Sequence, residues 1–327
     1  MRGIPDDCLP GATECAPGLA RSAPLGQKSG MNETPDILCI GSVLWDVIGR
    51  SNGHMRQGSD MPGRITRLPG GVALNIAMTF ARFGLRPALL SAVGQDPEGD
   101  ELTAACAQLG CDTRHLYRSE DLPTDRYMAV EGANGLIAAI ADAHSLERAG
   151  SRILHPLSDG TLGSAETPYP GPVALDGNLT ETLLDEIARD PCFAAADLRI
   201  APASPGKAER LLPFLRAQRG VLYVNLEEAS ILCQAPFDSA PQAAAKLVER
   251  GAARAVVTNG GEAACDASAD GLIAERPPEV LVTRVTGAGD TFMAAHIVAE
   301  LRGAGRAEAL SLALDAAAAY VSGDIAS

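Results

Sequence analysis

Near the end of the chain, the run RVTGAGDTFMAA (residues 284 to 295) places three small residues, Gly287, Ala288 and Gly289, directly before a carboxylate, Asp290, and an alanine-rich, helix-forming segment. A turn that small lets a ligand approach the backbone, and the first turn of the following helix has N–H groups without intrahelical partners, where an anion is welcome. The Gly287–Gly289 amides suit the oxygens of a moving phosphoryl group, while Asp290 suits the proton of an attacking hydroxyl. The plain structural alternative is a glycine-rich helix start with Asp290 as a favourable first-turn charge, worth about 0.3–1 kcal/mol. Four residues do not decide between them. A second glycine turn opens GGVALNIAMTFARFG, Gly70 to Gly84. Gly70 and Gly71 permit close approach, and Asn75 at the helix start either offers a free amide to hydroxyls or serves as a local cap.

These residues need a scaffold, and 327 residues suffice for one large α/β domain or two smaller ones. With 46% hydrophobic and 21% charged residues, the chain has ordinary globular usage. A formal net charge of −14 disfavours nonspecific binding to nucleic acid or anionic membranes, so a polyanionic ligand needs a local site. No segment reads as a DNA-binding helix. The eight cysteines contain no CxxC pair and the five histidines have no ligand spacing beside them, so reduced thiols in a cytoplasmic protein are expected. No apolar run reaches the ~18 residues of a membrane span, and the N-terminus lacks a signal-peptide layout.

Residues 1–35 are rich in Pro, Gly and small residues and read as a disordered N-terminal extension, leaving 36–327 as the folded domain. From Ile37 onward short apolar runs alternate with helical segments: ILCIG, VALNIAMTFARFG, PALLSAVG, and later PVALDGN, DLRIA, VLYVN and RAVVTNGG. That alternation predicts a parallel sheet covered on both faces, closed by helices over about 288–302 and 306–321. Two segments break the rhythm. Residues 43–68 hold a polar, Gly-rich loop before RITRL, and 126–141 read as two β runs joined at GANG. Together they predict a small accessory sheet, a lid.

The two glycine turns taken together, GGVALNIA followed by Gly84 and Gly94, and VTGAGDTFMAA some two hundred residues later, resemble both signatures of the PfkB (ribokinase-like) carbohydrate kinases. The resemblance runs from Ile37 to about Val321. It implies a three-layer α/β/α ribokinase-like fold with a mostly parallel central sheet and a β lid, and ATP-dependent phosphorylation of a sugar or nucleoside. Asp290 is implied as the base, with Gly287, Ala288 and Gly289 as the anion hole. Asp46, in GSVLWDV, is implied as the acceptor of two sugar hydroxyls, with Gly70, Gly71 and Asn75 completing the cradle; without the family, Asp46 reads as a turn residue at a strand end. Trp45 points away from Asp46 along an extended segment, which favours packing over base stacking.

NLEE resembles the family's N-x-x-E element, placing Asn225 and Glu228 near the phosphates and Mg²⁺, with Glu228 acting through water; alone, Glu228 reads equally as a helix-start charge. VVTNGG resembles the nucleotide-binding turn, implying Thr258 and Gly260 near ATP, against an ordinary edge turn. The resemblance leaves a monovalent cation open and suggests a homodimer through the lid. The chain departs from the family pattern at Arg284, at His296, and at Tyr223-Val224 before NLEE.

Within the family, PGRITRLPGG, GLIAAIADA, LDGNLTETLL and APASPGKA are similar to strings of the pseudouridine kinases, with Ala201 departing from an expected Asp. The implied reaction is ATP plus pseudouridine giving ADP and pseudouridine 5′-phosphate. Lys207, one of only three lysines, is either an ammonium near the phosphates or a solvated helix-start residue. Asp290 is expected to be ionised at neutral pH, favoured by the helix N-terminus. The rival readings are another sugar or nucleoside kinase of the family, and a catalytically silent ligand-binding relative.

Overall fold

In β1 (Ile37–Ile40) every side chain is buried, and they divide by parity: Ile37 and Cys39 enter one hydrophobic core, Leu38 and Ile40 the other. A strand apolar on both faces belongs in the middle of a covered sheet. This is a computed structural model, and it describes residues 34–323 apart from 57 and 59. The extension expected over 1–35 therefore lies outside the described residues except for Thr34 and the buried Pro35.

The chain continues through β2 (Leu44–Arg50), β3 (Arg64–Gly70), α1 (Val72–Arg82), β4 (Pro87–Leu90), β5 (Ala92–Gly94), α2 (Pro97–Gln108), β6 (Tyr117–Ser119), β7 (Arg126–Gly132), β8 (Gly135–Asp142) and α3 (His144–Ala149). Then follow β9 (Pro172–Asp176), α4 (Glu181–Arg189), β10 (Asp197–Ala201), α5 (Leu212–Ala217), β11 (Val221–Asn225), α6 (Leu226–Cys233), α7 (Ala240–Glu249), β12 (Arg254–Asn259), β13 (Glu262–Ser268), β14 (Gly271–Glu275), α8 (Ala288–Leu301) and α9 (Arg306–Ser322). The main sheet has the order β14-β13-β12-β11-β10-β9-β1-β4. It is parallel from β4 to β12, with β13 and β14 added antiparallel at one edge. Helices α3 to α7 cover one face, and α1, α2, α8 and α9 cover the other. No helix among the described residues is long and apolar enough to cross a membrane.

The two segments that broke the rhythm form a separate four-stranded sheet, β3-β2-β7-β8. Each half is an antiparallel hairpin, the second turning at Ala133-Asn134, and β2 joins β7 in parallel at the seam. Trp45 is buried on the side of this sheet away from Asp46: its indole N–H donates to the Glu98 carbonyl at 2.9 Å, and the Arg67 guanidinium lies 4.2 Å above its ring. Arg67 and Arg126 pair with Glu101 and Glu98. Side chains from three strands thus fasten the base of the small sheet to the first turns of α2, the packing role expected of Trp45.

Behind α8, the departure at His296 has a local explanation. Its ring is fully buried, stacked on Phe292, with Nδ1 2.9 Å from the Tyr223 hydroxyl. Burial pushes its pKa down to about 4, so it is neutral. Around it, Glu300 pairs with Arg199 and Arg254, and Asp266 pairs with Arg254 and Arg306. A polar layer has replaced apolar packing here, and its charges are matched.

Candidate active site

Both glycine turns open helices, and each starts with a residue in the positive-φ region: Gly71 at 101° before α1 and Gly287 at 87° before α8. Neither helix has a side-chain cap from its own first residues. What meets their amides differs. The N–H groups of Val72, Ala73 and Leu74 donate to Ser42 Oγ at 2.9 Å, Asp176 Oδ2 at 3.0 Å and the Ser42 carbonyl at 3.4 Å. Asp176, fully buried at the end of β9, also accepts from the Ser42 N–H at 2.7 Å, the Ser42 hydroxyl at 3.0 Å and the Asn178 N–H at 2.7 Å. A Cβ on Gly71 would strike the Ser42 carbonyl, and one on Gly70 would strike the Asp46 carboxylate. The first turn is closed from below.

At α8, the Ala288 N–H donates to the Val285 carbonyl at 3.0 Å, so one of the three amides expected to face a phosphoryl group is already taken. Among the described residues, no acceptor meets the N–H groups of Gly287, Gly289 or Asp290. Tyr320 of α9 braces this turn, its hydroxyl donating to the Thr286 carbonyl at 2.9 Å and lying 2.5 Å from where a Gly287 Cβ would be. Arg284 is exposed and is held against α9. Its Nε donates to the Tyr320 carbonyl at 2.7 Å and its guanidinium stacks 3.9 Å above the Tyr320 ring.

Asp290 stands in the first turn of α8, and Asn75 Nδ2 donates to its Oδ2 at 3.1 Å. The Asn75 amide, expected to be free, is thus partly engaged, and the two glycine motifs meet across 215 positions of sequence. Burial pushes the Asp290 carboxyl up to about 7; the Asp176 and Glu228 carboxylates add to this and the Asn75 bond opposes it. The expected full ionisation at neutral pH is therefore corrected: desolvation outweighs the helix N-terminus. A carboxylate titrating near 7 is a stronger proton acceptor than one near 4.

Asp46 lies within β2, with Leu68 and Tyr127 as its cross-strand neighbours, and so is a mid-strand residue instead of the turn residue of the alternative reading. No donor among the described residues bonds its carboxylate, which burial pushes up to about 6. Its acceptor capacity is open, as a vicinal diol would require.

Asn225 and Glu228 form a reciprocal capping box at the start of α6: Glu228 N–H to Asn225 Oδ1 at 2.9 Å, and Asn225 N–H to Glu228 Oε2 at 2.8 Å. The helix-start reading is therefore right as far as it goes. Yet the buried Glu228 also lines a cavity of about 120 Å³ with Asn225, Thr258, Gly289 and Asp290. Thr258 and Gly260 line a larger adjoining cleft of about 520 Å³. Lys207 lines neither cavity; it is half-buried and donates to Asn178 Oδ1 at 2.5 Å, joining the group around Asp176, and burial lowers its pKa. No group of three or more His, Cys, Asp or Glu among the described residues is arranged to hold a metal ion.

Ser42, Asp176, Asn178 and Tyr320 escaped the sequence reading. The one available signal was Asp176, an acid ending the apolar run PVALD, where a charge has no reason to be unless something pairs with it.

A buried carboxylate beside open helix-start amides, with an apolar cleft on one side and a small sheet carrying the unbonded Asp46 on the other, has the parts of a small-molecule kinase. The model of the pfkB family carbohydrate kinases matches residues 34–324, and the chain belongs to that family. It is 28% identical over 273 residues to the pseudouridine kinase of Escherichia coli, an alignment covering 81% of this chain and 83% of that one. Its fold is similar to a carbohydrate kinase from Agrobacterium tumefaciens, with a TM-score of 0.74 at 24% identity over 89% of this chain and 94% of the other. It is likewise similar to Arabidopsis thaliana ribokinase complexed with ribose and ATP, with a TM-score of 0.71 at 20% identity over 88% and 93% of the two chains. The fold is thus ribokinase-like α/β, and the protein is an ATP-dependent kinase.

Proposed function

We propose that the protein transfers the γ-phosphoryl group of ATP to the 5′-hydroxyl of a nucleoside, with pseudouridine as the favoured acceptor. One observation carries the reading: Asn75 of the first motif bonds Asp290 of the second, beside the unclaimed amides of Gly287 and Gly289. The acceptor oxygen attacks the γ-phosphorus, Asp290 takes its proton, the bond to the β-phosphate oxygen breaks and ADP leaves. Gly287 and Gly289 face the charge on the moving phosphoryl group. Ala288 contributes its conformation, since its own N–H is taken. The acceptor's diol rests on Asp46, with Gly70 and Gly71 allowing close approach and the small sheet excluding water as a lid.

The donor set fits Mg²⁺ carried in by the nucleotide: one buried carboxylate, Glu228, has an oxygen free of the capping box, and Mg²⁺ commonly keeps its waters and takes few protein ligands. When bound, the ion neutralises charge on the β- and γ-phosphates. Thr258, Gly260 and Asn225 border the space for the nucleotide. Lys207 acts in this reading through Asn178, holding the floor of the acceptor turn. The small sheet exposes Ile65, Met128 and Ile140 on the face opposite Asp46, which suits a second copy of the chain.

Favouring pseudouridine over another nucleoside or sugar is the relative from Escherichia coli. Against a silent family member stands Asp290, kept beside open amides. The test is purified protein with Mg²⁺-ATP against pseudouridine, uridine, adenosine, ribose and fructose, following ADP and the phosphorylated product. Selective turnover of pseudouridine is expected. Preference for ribose or adenosine replaces the acceptor and keeps the kinase.

A further inference from the structure

The 520 Å³ cleft beside the Gly287 turn has walls of Leu314, Ala317, Ala318 and Val321 from α9, Ala264 from β13 and Phe292 from α8. Thr258 and Glu279 are the polar side chains among its lining residues. Thr258 also lines the smaller cavity with Asp290, which puts it at the phosphate end. Glu279 belongs to the segment 277–282, whose backbone makes no hydrogen bond among the described residues. Apart from Thr258 and Glu279, the side-chain walls of the cleft therefore present carbon.

We propose that this cleft accepts purine nucleotides by apolar contact without reading the base edge, so that guanosine and inosine triphosphates serve as phosphoryl donors beside ATP. The inference rests on the kinase reading above and concerns what that reading leaves open, the choice of donor. Strong discrimination arises when the wrong ligand leaves a site's buried hydrogen-bonding group unpaired. Built sites of that kind reach roughly 10⁴–10⁵, whereas an apolar pocket separates similar ligands by only about 10–200-fold. Adenine, guanine and hypoxanthine share one fused-ring area and differ at their polar edges. Apart from Thr258, the side chain that could read an edge here is Glu279, in the segment 277–282 whose backbone makes no hydrogen bond among the described residues, and preorganisation is what makes such contacts selective.

Glu279 does not supply the missing code. Its carboxylate is an acceptor only, and it serves the 6-amino group of adenine, the N1–H and 2-amino groups of guanine, or the N1–H of hypoxanthine. Pyrimidines present a smaller face to Phe292, Leu314 and Val321 and lose contact area.

Calorimetry with Mg²⁺ and ADP, GDP, IDP or CDP tests this without requiring turnover, followed by ATP and GTP as donors in the acceptor assay. The three purine diphosphates are expected to bind within about tenfold of one another and CDP more weakly, with GTP supporting turnover within about a hundredfold of ATP. Binding of ADP with GDP and IDP more than about a thousandfold weaker overturns the inference and leaves the kinase reading intact. Failure of every nucleotide to bind overturns both. An Ala317→Leu variant, which fills the cleft, is expected to weaken all three purine diphosphates by a similar factor; weakening of ADP alone overturns the inference.

Discussion

The two glycine turns look alike in sequence and differ in what holds them. Gly71 sits over a buried group of polar side chains, with Ser42 and Asp176 taking the first amides of α1. Gly287 is braced from the half-exposed end of α9 by one tyrosine hydroxyl, and the amides around it stay open. Filled amides make a rigid floor; open amides make a binding site. In the proposed reaction, similar glycines would therefore serve an acceptor cradle that must keep its shape and a phosphate turn that must admit and release its ligand.

The largest effect expected to bear on this contrast is at the open turn. Asp290→Asn should lower kcat by about 10²–10⁴ with acceptor affinity by calorimetry near wild type, since general-base catalysis contributes on that scale. With Asp290 titrating at about 7, kcat/KM should rise about tenfold per pH unit below that value and level above it, a limb the variant lacks. Because folding raises this pKa, the folded state holds a proton that the unfolded chain releases. That stabilisation is complete below about pH 4 and lost as pH rises through 7, so Asp290→Asn should stabilise the ligand-free protein at pH 8 and not at pH 4. Denaturant titrations at the two pH values measure this.

The closed turn should respond in stability. Asp176→Ala leaves the Ser42, Ala73 and Asn178 amides without their acceptor and should cost about 3–5 kcal/mol by urea unfolding. A loss under 1 kcal/mol, on the order of a surface substitution, would remove the rigid floor from the comparison.

Next in size are the glycines themselves. Gly71→Ala combines a left-handed backbone with a clash against a main-chain oxygen and should cost about 2–4 kcal/mol. Gly287→Ala should cost about 1–2 kcal/mol, and adding Tyr320→Phe, which removes the obstructing hydroxyl, should restore part of it. Additive losses in that double mutant would show that Tyr320 does not shape the turn. Smallest of all, Tyr320→Phe alone should change stability by about 1 kcal/mol or less while raising the KM for ATP severalfold.

How far the sequence could be read follows the same division. The main strands and the paired glycine motifs announce themselves through local pattern, and so does the second hairpin of the small sheet, through GANG. Strand β13 does not: EAACDAS has no β-branched residue, and it becomes a strand by pairing with β12 and β14 while Arg254 and Arg306 neutralise the buried Asp266. Asp176 stands out as an acid ending an apolar run, but its partners are illegible because Ser42 and Ala73 lie 134 and 103 positions away. Tyr320 sits in an alanine-rich helix that gives no hint of the loop it supports. Among the candidate site residues, Lys207 shows the limit of spacing arguments: this rare lysine bonds Asn178 and lines neither cavity.

The small sheet is two hairpins joined at a parallel seam, with Arg50 of the first bonded to Glu131 of the second across 81 positions. Hairpins close within microseconds, but a seam between distant segments must first meet the entropy of the loop it encloses. The face shared by Asp46 on one hairpin and Tyr127 on the other is therefore among the last surfaces to assemble as the chain folds. In the proposed reaction, an acceptor bridging those two residues would hold the hairpins together and so staple the site that receives it.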